Sequence, residues 1–278
     1  MTSQLTTGAS RRTTIAVPGG RLAGLRSGRT DDPAVLLVPG YTGSKEDFGP
    51  IMSALAGAEL QAIAIDQRGQ YESAGPAEPA AYTPNEMAVD LLAIADEVGR
   101  PVHLVGHSYG GLVSRAAVIA EPTAFRSLTL MSSGPAAIGG RRRVIIDQLR
   151  PLLPAGLGPV YDAMQAAYAG SPGYVVPPAP VAQFLRARFL LGSPAMLEGM
   201  GDALVDEPDR VAELAATAVP TLVLTGADDD AWPPHVQADM ARRLGARYQV
   251  IAGARHSPAV ENPAGTAQAL IDFWRDVP

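Results

Sequence analysis

The sequence predicts a single α/β domain, a mainly parallel sheet with helices on both faces, interrupted by a helical insertion between two of its strands. Three observations lead to this. The run 34–38 is apolar at every position, as a strand buried on both faces should be. Further strand-like runs alternate along the chain with segments whose apolar residues recur at helical spacing. The stretch 134–215 breaks that rhythm with many prolines and no convincing strand. A chain of 278 residues, 47% hydrophobic, is long enough to bury one substantial core.

Residues 13–17 and 22–26 flank Pro18-Gly19-Gly20 and read as an antiparallel hairpin, whose place is the edge of the sheet. Strand 34–38 stops at Pro39-Gly40-Tyr41-Thr42-Gly43-Ser44. A helix over 47–58 leads to a strand at 61–65, which ends in Asp66-Gln67-Arg68-Gly69. Thr83-Pro84-Asn85-Glu86 has the form of a capping box with proline in the first turn, and it opens a helix to residue 98. Strand 102–105 leads into the central motif, and strand 127–131 follows. The insertion 134–215 carries Pro151, Pro154, Pro159, Pro172, Pro177, Pro178 and Pro180 among short amphipathic helical patterns. Strand 221–224, helix 233–244, strand 248–251 and helix 263–274 complete the alternation. The division expected is a core of 1–133 and 216–278 with an inserted helical cap of 134–215.

The chain is organised around Val102-His103-Leu104-Val105-Gly106-His107-Ser108-Tyr109-Gly110-Gly111. A buried-strand run breaks into Gly-x-Ser-x-Gly and continues at helical spacing through residue 118, which is strand, sharp turn, helix. Glycine at 106 and 110 lets strand and helix approach without a Cβ clash, and the Ser108 hydroxyl is left exposed at a helix N-terminus. There the Tyr109 amide and the positive end of the helix dipole favour the anion of a tetrahedral acyl intermediate.

Charged residues are 18% of the chain and the net charge is −6, without a basic stripe, which argues against a nucleic-acid partner. No apolar run approaches a membrane span, and no apolar core follows the polar residues 1–14 as a signal peptide would require. Cytoplasmic is the default expectation, with a small molecule as partner and no membrane association. Cysteine is absent, which excludes disulfides, thiolate chemistry and cysteine metal sites. No metal and no organic cofactor is expected.

A serine hydroxyl needs a base to remove its proton, and that base needs a carboxylate to fix its tautomer. Of the four histidines, His103 lies inside a strand, His107 sits beside the serine pointing away from it, and His235 begins a helix as an exposed residue. His256, in Gly253-Ala254-Arg255-His256-Ser257-Pro258, follows the last strand at the carboxyl edge where Ser108 also lies, and is the expected base. The acid leaves strand 221–224 in Ala227-Asp228-Asp229-Asp230-Ala231-Trp232-Pro233, where three carboxylates compete. Burying more than one beside a histidine is too costly, so the other two should face solvent or cap the helix.

Outside the insertion, nearly the whole chain resembles the capped, serine-nucleophile α/β-hydrolases. The resemblance rests on Gly106-x-Ser108-x-Gly110, on Gly226-x-x-Asp229-x-x-x-Pro233 after a strand, and on His256-Ser257-Pro258 followed by Glu261-Asn262-Pro263, in the order Ser, Asp, His. It implies the α/β-hydrolase fold, and it implies Asp229 as the acid, with Asp228 second. It also implies an oxyanion donor after the strand at 34–38, where the family often reads His-Gly. Here Pro39-Gly40-Tyr41 keeps the glycine and lacks the histidine, so the donors expected are the backbone N–H groups of Tyr41 and Tyr109. Asp66-Gln67-Arg68-Gly69 matches a common family turn and reads as structural. Arg255 stands where many relatives have glycine and reads as a surface salt bridge, an anion contact being the alternative; Arg141-Arg142-Arg143 reads as a solvated face in the same way.

The reaction expected is hydrolysis of a carboxylic ester, lactone or thioester of a small apolar substrate through an acyl-enzyme. Fold and triad do not name the substrate, so carbon–carbon bond hydrolase, acyltransferase, perhydrolase and amidase chemistry stay open, as does a ligand-binding receptor on the same scaffold. Serine at 108 argues against the haloalkane dehalogenase and epoxide hydrolase classes, whose nucleophile is an aspartate. Among Tyr161, Met164, Tyr168, Phe184, Phe189, Met196, Leu197 and Met200 in the insertion, more than half are expected to pack the cap against the core, and the others would give an apolar, adaptable pocket. Met164, Met196 and Met200 are its expected lining, with Tyr41 and Trp232 as aromatic walls.

Overall fold

Strands β1 (Arg11–Val17) and β2 (Gly20–Ser27) open the chain as an antiparallel hairpin. They are followed by β3 (Ala34–Val38), α1 (Gly49–Gly57), β4 (Gln61–Ile65), α2 (Pro84–Val98), β5 (Val102–His107), α3 (Tyr109–Ala120) and β6 (Phe125–Met131). Then come α4 (Gly140–Leu149), α5 (Leu157–Ala169), α6 (Ala179–Leu190), α7 (Pro194–Asp206) and α8 (Val211–Ala215), before β7 (Thr221–Gly226), α9 (Pro234–Leu244), β8 (Arg247–Ile251), α10 (Pro258–Glu261) and α11 (Pro263–Arg275). The computed structural model describes residues 4–170 and 174–277. Residues 1–3 of the polar N-terminal stretch and Pro172 of the insertion lie outside the described residues.

The sheet has eight strands in the order β1-β2-β4-β3-β5-β6-β7-β8. The hairpin pairs antiparallel to β4 through β2, and the remaining six strands run parallel. Alternate side chains of each strand divide the core in two, following the period-2 geometry of a strand. Leu36, Val38, Leu104, Leu128 and Leu130 pack with α2, α3 and α9, while Val35, Leu37, Val105, Leu222 and Leu224 pack with α1 and α11. Parallel strands covered on both faces place all their carboxyl ends on one edge, where loops can converge.

The helix expected over 47–58 is a 3-10 turn, Lys45–Phe48, followed by α1. Pro50 explains the restart, because a residue without an N–H fits the first turn of a helix and not its interior. Thr83 caps α2 as its sequence suggests, accepting from the Glu86 N–H.

Among the described residues, 134–215 hold α4 to α8 and no strand. The chain leaves the sheet after β6 and its departure is fastened to its return. Arg115, on α3 and 1% exposed, donates to the carbonyls of Gly134 (3.3 Å) and Pro135 (2.5 Å) and to the Glu207 carboxylate (2.6 Å). The Ala137 and Ile138 N–H groups donate to the carbonyls of Glu207 (2.8 Å) and Leu204 (2.7 Å). Removing one partner from such a buried pair strands a charge away from water, a loss of roughly 3–5 kcal/mol. Among the described residues, no helix is long and apolar enough to cross a membrane, and no group of three or more His, Cys, Asp or Glu could hold a metal ion.

Candidate active site

Ser108 joins β5 to α3 with φ 54° and ψ −119°, a backbone conformation that an L side chain rarely adopts. The turn is held from both sides: the Ser108 N–H donates to the Met131 carbonyl (2.9 Å) and the Ser133 hydroxyl donates to the Ser108 carbonyl (2.8 Å). A Cβ at Gly106 would lie 2.3 Å from the Gly110 carbonyl oxygen, and one at Gly110 would lie 2.4 Å from that of Val38, so the close approach read from the motif is physically required.

Three carboxyl-edge loops bring their side chains together here. Ser108 Oγ is 3.0 Å from His256 Nε2, and His256 Nδ1 is 2.9 Å from Asp229 Oδ1. Asp229 is buried, and its second oxygen accepts from Gln237 Nε2 (2.9 Å) while Oδ1 also takes the Ala231 N–H (2.9 Å). Burial disfavours the Asp229 carboxylate, but His256, the Ala231 N–H and Gln237 more than offset it and hold its pKa below the usual carboxylate range. Neither neighbouring aspartate meets His256. Asp228 is exposed, and Asp230 forms a two-point pair with Arg142 of α4 (3.1 and 2.8 Å). Gln237, on α9, had no sequence signal: the helix was legible, but nothing marked which of its residues turns toward the acid eight positions earlier.

Of the arginine run at 141–143, Arg142 departs from the solvated face that its sequence suggests, while Arg141 is exposed and the Arg143 side chain is 43% exposed. Arg141 donates to the Ala167 carbonyl (2.7 Å) and Arg143 to that of Val205 (2.6 Å), while Arg142 adds a hydrogen bond to the Tyr168 hydroxyl (3.0 Å). All three ends fall on carbonyls, a phenol or a carboxylate because α4 lies between α5 and α7.

His107 was expected beside the serine and pointing away from it, and its Nε2 lies 2.6 Å from the backbone carbonyl oxygen of His256, the two rings being 5.1 Å apart. Burial, aided by the neighbouring His256, lowers its pKa to about 4, so it is neutral and donates this bond. His103, buried against Trp274 and 2.7 Å from Ser127 Oγ, is likewise lowered to about 4 by burial. The sign for stability follows from linkage. Between the ordinary value of 6.5 and about 4 the unfolded chain takes up protons that the folded chain refuses, so stability falls on acidification through that window. The unfolding free energy from urea titrations should therefore fall between about pH 7 and about pH 4.5, by up to roughly 3 kcal/mol per histidine. A flat profile would mean that these rings are solvated.

A cavity of about 770 Å³ opens over Ser108 and His256. Its apolar wall comes from the insertion, with Ile145, Leu149, Tyr161, Met164 and Phe189 among the lining residues, and Tyr41 contributes from the loop after β3. The Tyr41 hydroxyl donates to the Leu197 carbonyl (2.7 Å), which ties that loop to α7. Tyr109 begins α3, where its N–H has no intrahelical acceptor, and its buried hydroxyl donates to the Tyr82 carbonyl.

Three expected lining residues do not line this cavity. Met196 and Met200 are buried on the side of α7 turned toward the core, where a Cβ at Gly69 would lie 2.7 Å from Met196 Cβ and one at Gly199 would lie 2.1 Å from the Pro79 carbonyl oxygen. Trp232 packs against Gly134 and donates from Nε1 to the Ala136 carbonyl (3.2 Å), so it fastens the start of the insertion. Met164 and Tyr41 do reach the cavity, and Arg255 also lies along it.

Comparison with known proteins places this geometry in context. A model of the alpha/beta hydrolase family matches residues 35–269. "Putative carbamate hydrolase RutD" of Variovorax paradoxus is 31% identical over 254 residues, covering 88% of this chain and 93% of that protein. The pimeloyl-(acyl-carrier protein) methyl ester esterase of Neisseria meningitidis is 28% identical over 264 residues, covering 87% of this chain and 77% of that protein. A solved thermophilic esterase from Thermogutta terrifontis superposes with a TM-score of 0.78 at 24% identity, covering 96% and 99% of the two chains.

Proposed function

The chain belongs to the alpha/beta hydrolase family, and from that membership we propose that it is a serine hydrolase cleaving carboxylic esters of an apolar, uncharged, small to medium-sized substrate. The observation that carries the reading is the unbroken hydrogen-bonded series from Ser108 through His256 to Asp229, at 3.0 and 2.9 Å, at the floor of a cavity with a largely apolar wall.

In this mechanism His256 Nε2 accepts the Ser108 proton as Oγ attacks the ester carbonyl. Asp229 holds the Nδ1 proton, so that Nε2 is the free acceptor, and its charge faces the imidazolium that forms. The N–H groups of Tyr41 and Tyr109 receive the oxyanion. Collapse of the tetrahedral adduct passes the His256 proton to the leaving alkoxide. Water then repeats the sequence on the acyl-enzyme, with His256 again as base, and Ser108 is released with its proton restored.

The described part of the insertion 134–215 acts as the cap that selects the substrate, over a core of 1–133 and 216–278. Four of the charged residues along the cavity support an uncharged ligand, because Arg142 is paired with Asp230 and Arg188 with Asp47 (2.7 Å). A carbamate reading has one specific support, the name that several relatives carry, and a carbamate series separates it from the ester reading.

The test is a serine-reactive phosphonate followed by specificity constants along a homologous series of nitrophenyl acyl esters, with a carbamate series beside it. Labelling at Ser108 is expected, and kcat/KM should rise with chain length by up to about 0.8 kcal/mol per added methylene until the cavity is full. A flat series, or a best substrate charged near the scissile bond, would refute the apolar preference. Absence of labelling would refute the mechanism.

A further inference from the structure

A backbone N–H stabilises a developing oxyanion only if its peptide plane is fixed beforehand, since a donor that must reorient during the reaction gives back what it gains. In a trans peptide the C=O of one residue and the N–H of the next point in opposite directions. Whatever holds the Gly40 carbonyl therefore aims the Tyr41 N–H. The family's histidine is absent before Gly40, so that hold must come from elsewhere in the fold.

It comes from the turn after β4. The Gln70 side-chain amide donates to the Gly40 carbonyl at 2.6 Å and reaches the Tyr41 carbonyl at 3.3 Å. Gln67 Nε2 donates to the Pro39 carbonyl at 2.8 Å. Three successive carbonyls of the loop are thus gripped from behind by two amides, each 2% exposed or less. The Gly40 carbonyl also accepts from the Gly43 N–H (3.1 Å), which closes the turn but does not tie it to the rest of the fold.

The orientation of the Gln70 amide is determined by its partners. Its Oε1 accepts the Gln67 N–H at 3.0 Å, so a flipped amide would set oxygen against two carbonyls and nitrogen against an N–H. The turn itself is anchored. Asp66 accepts from the Lys45 N–H (2.8 Å) and from Lys45 Nζ (2.8 Å), and the Ser73 hydroxyl donates to the Asp66 carbonyl (2.8 Å). On the opposite side of the loop, a Cβ at Gly40 would lie 3.0 Å from Ser108 Cβ and 3.3 Å from His107 Nδ1, so the loop is seated between the anchored turn and the serine.

We infer that Gln70 is a positioning residue for the proposed oxyanion site, its buried side-chain amide fixing the Gly40–Tyr41 peptide so that the Tyr41 N–H faces the acyl adduct on Ser108. Gln70 does not line the cavity and touches no substrate. The inference rests on the reading of Ser108 as nucleophile and of the Tyr41 N–H as donor.

Two variants test it. Gln70→Met keeps the bulk and removes the donor; Gln70→Glu keeps the acceptor for the Gln67 N–H and turns a carboxylate oxygen toward the carbonyls. Each should lower kcat roughly 10- to 100-fold, the scale set by misplacing a group that must be oriented. KM should stay within about twofold, because the interaction lost is made in the transition state. Affinity for an alkyl boronic acid, which forms a tetrahedral adduct on the serine, should fall by the same factor as kcat/KM. Affinity for an unreactive ether analogue of the ester should not change. A folded Gln70→Met protein with the parent kcat overturns the inference, as does a loss confined to KM or a boronate affinity that does not follow kcat/KM. Failure of both variants to fold also overturns it, in favour of a purely structural amide. Phosphonate labelling of the parent at Ser108 separates the two readings: labelled parent with unaffected Gln70 variants removes this inference alone, and an unlabelled parent removes both.

Discussion

Ser108→Ala is expected to fold as the parent does and to lose turnover by roughly 1,000-fold or more. The substitution deletes one oxygen. The bonds that hold the turn, from the Ser108 N–H to Met131 and from Ser133 to the Ser108 carbonyl, belong to the backbone and survive it. The sharp turn is set by the close approaches at Gly106 and Gly110, which the substitution leaves alone. What disappears is the atom 3.0 Å from His256 Nε2, and with it the covalent step. Ester hydrolysis with thermal unfolding as a control measures both halves, and unchanged hydrolysis by a folded variant would take Ser108 out of the chemistry.

Asp229→Asn should cost about 10,000-fold while Asp230→Asn and Asp228→Asn leave the rate within a fewfold. Asparagine is close in shape and, with its oxygen in the place of Oδ2, can keep the bond from Gln237 Nε2 while it loses the one from the Ala231 N–H. Its amide nitrogen, turned to His256 Nδ1, then demands an acceptor there. The ring proton moves to Nε2, where it faces Ser108 Oγ and blocks its role as base. Asp230 lacks this leverage because its partner is Arg142, and exposed Asp228 has no contact with His256. Steady-state rates for the three single variants decide the matter. Greater damage from Asp228→Asn would shift the acid by one position.

Much of this was legible in the sequence for a physical reason that differs by element. Ala34–Val38 and Gln61–Ile65 were bounded to the residue because burial on both faces leaves little room for polar residues inside a strand, and polar or turn residues stand at both ends. The Gly-x-Ser-x-Gly turn was legible because its demand is local: atoms within a few residues collide unless two side chains are missing. The selection of Asp229 among three aspartates was not local. It needed the resemblance, since proximity in sequence cannot say which of three neighbours is turned inward.

The insertion was readable as helical and unreadable in its facing. Its helices have two apolar duties, one face against the core and one toward the cavity, so periodicity alone could not assign Met196 and Met200 to the core side and Met164 to the cavity. The inward pairing of Arg142 was hidden for a related reason. Three adjacent cations usually mean solvent, and their partners at Ala167, Val205 and Asp230 lie tens of residues away. The contact of His107 left no trace because its partner lies in a distant loop, and that of Gln237 left none because periodicity does not say which polar residue of a helix turns inward.

Arg115 holds the first residues of the insertion and, through Glu207, the end of α7, from a position on α3 seven residues after Ser108. On the proposed reading, the stretch that chooses the substrate and the helix that begins at the nucleophile share this one buried ion pair. A change at Arg115 or Glu207 would therefore reach both selectivity and the turn that carries the serine, although neither residue lines the cavity.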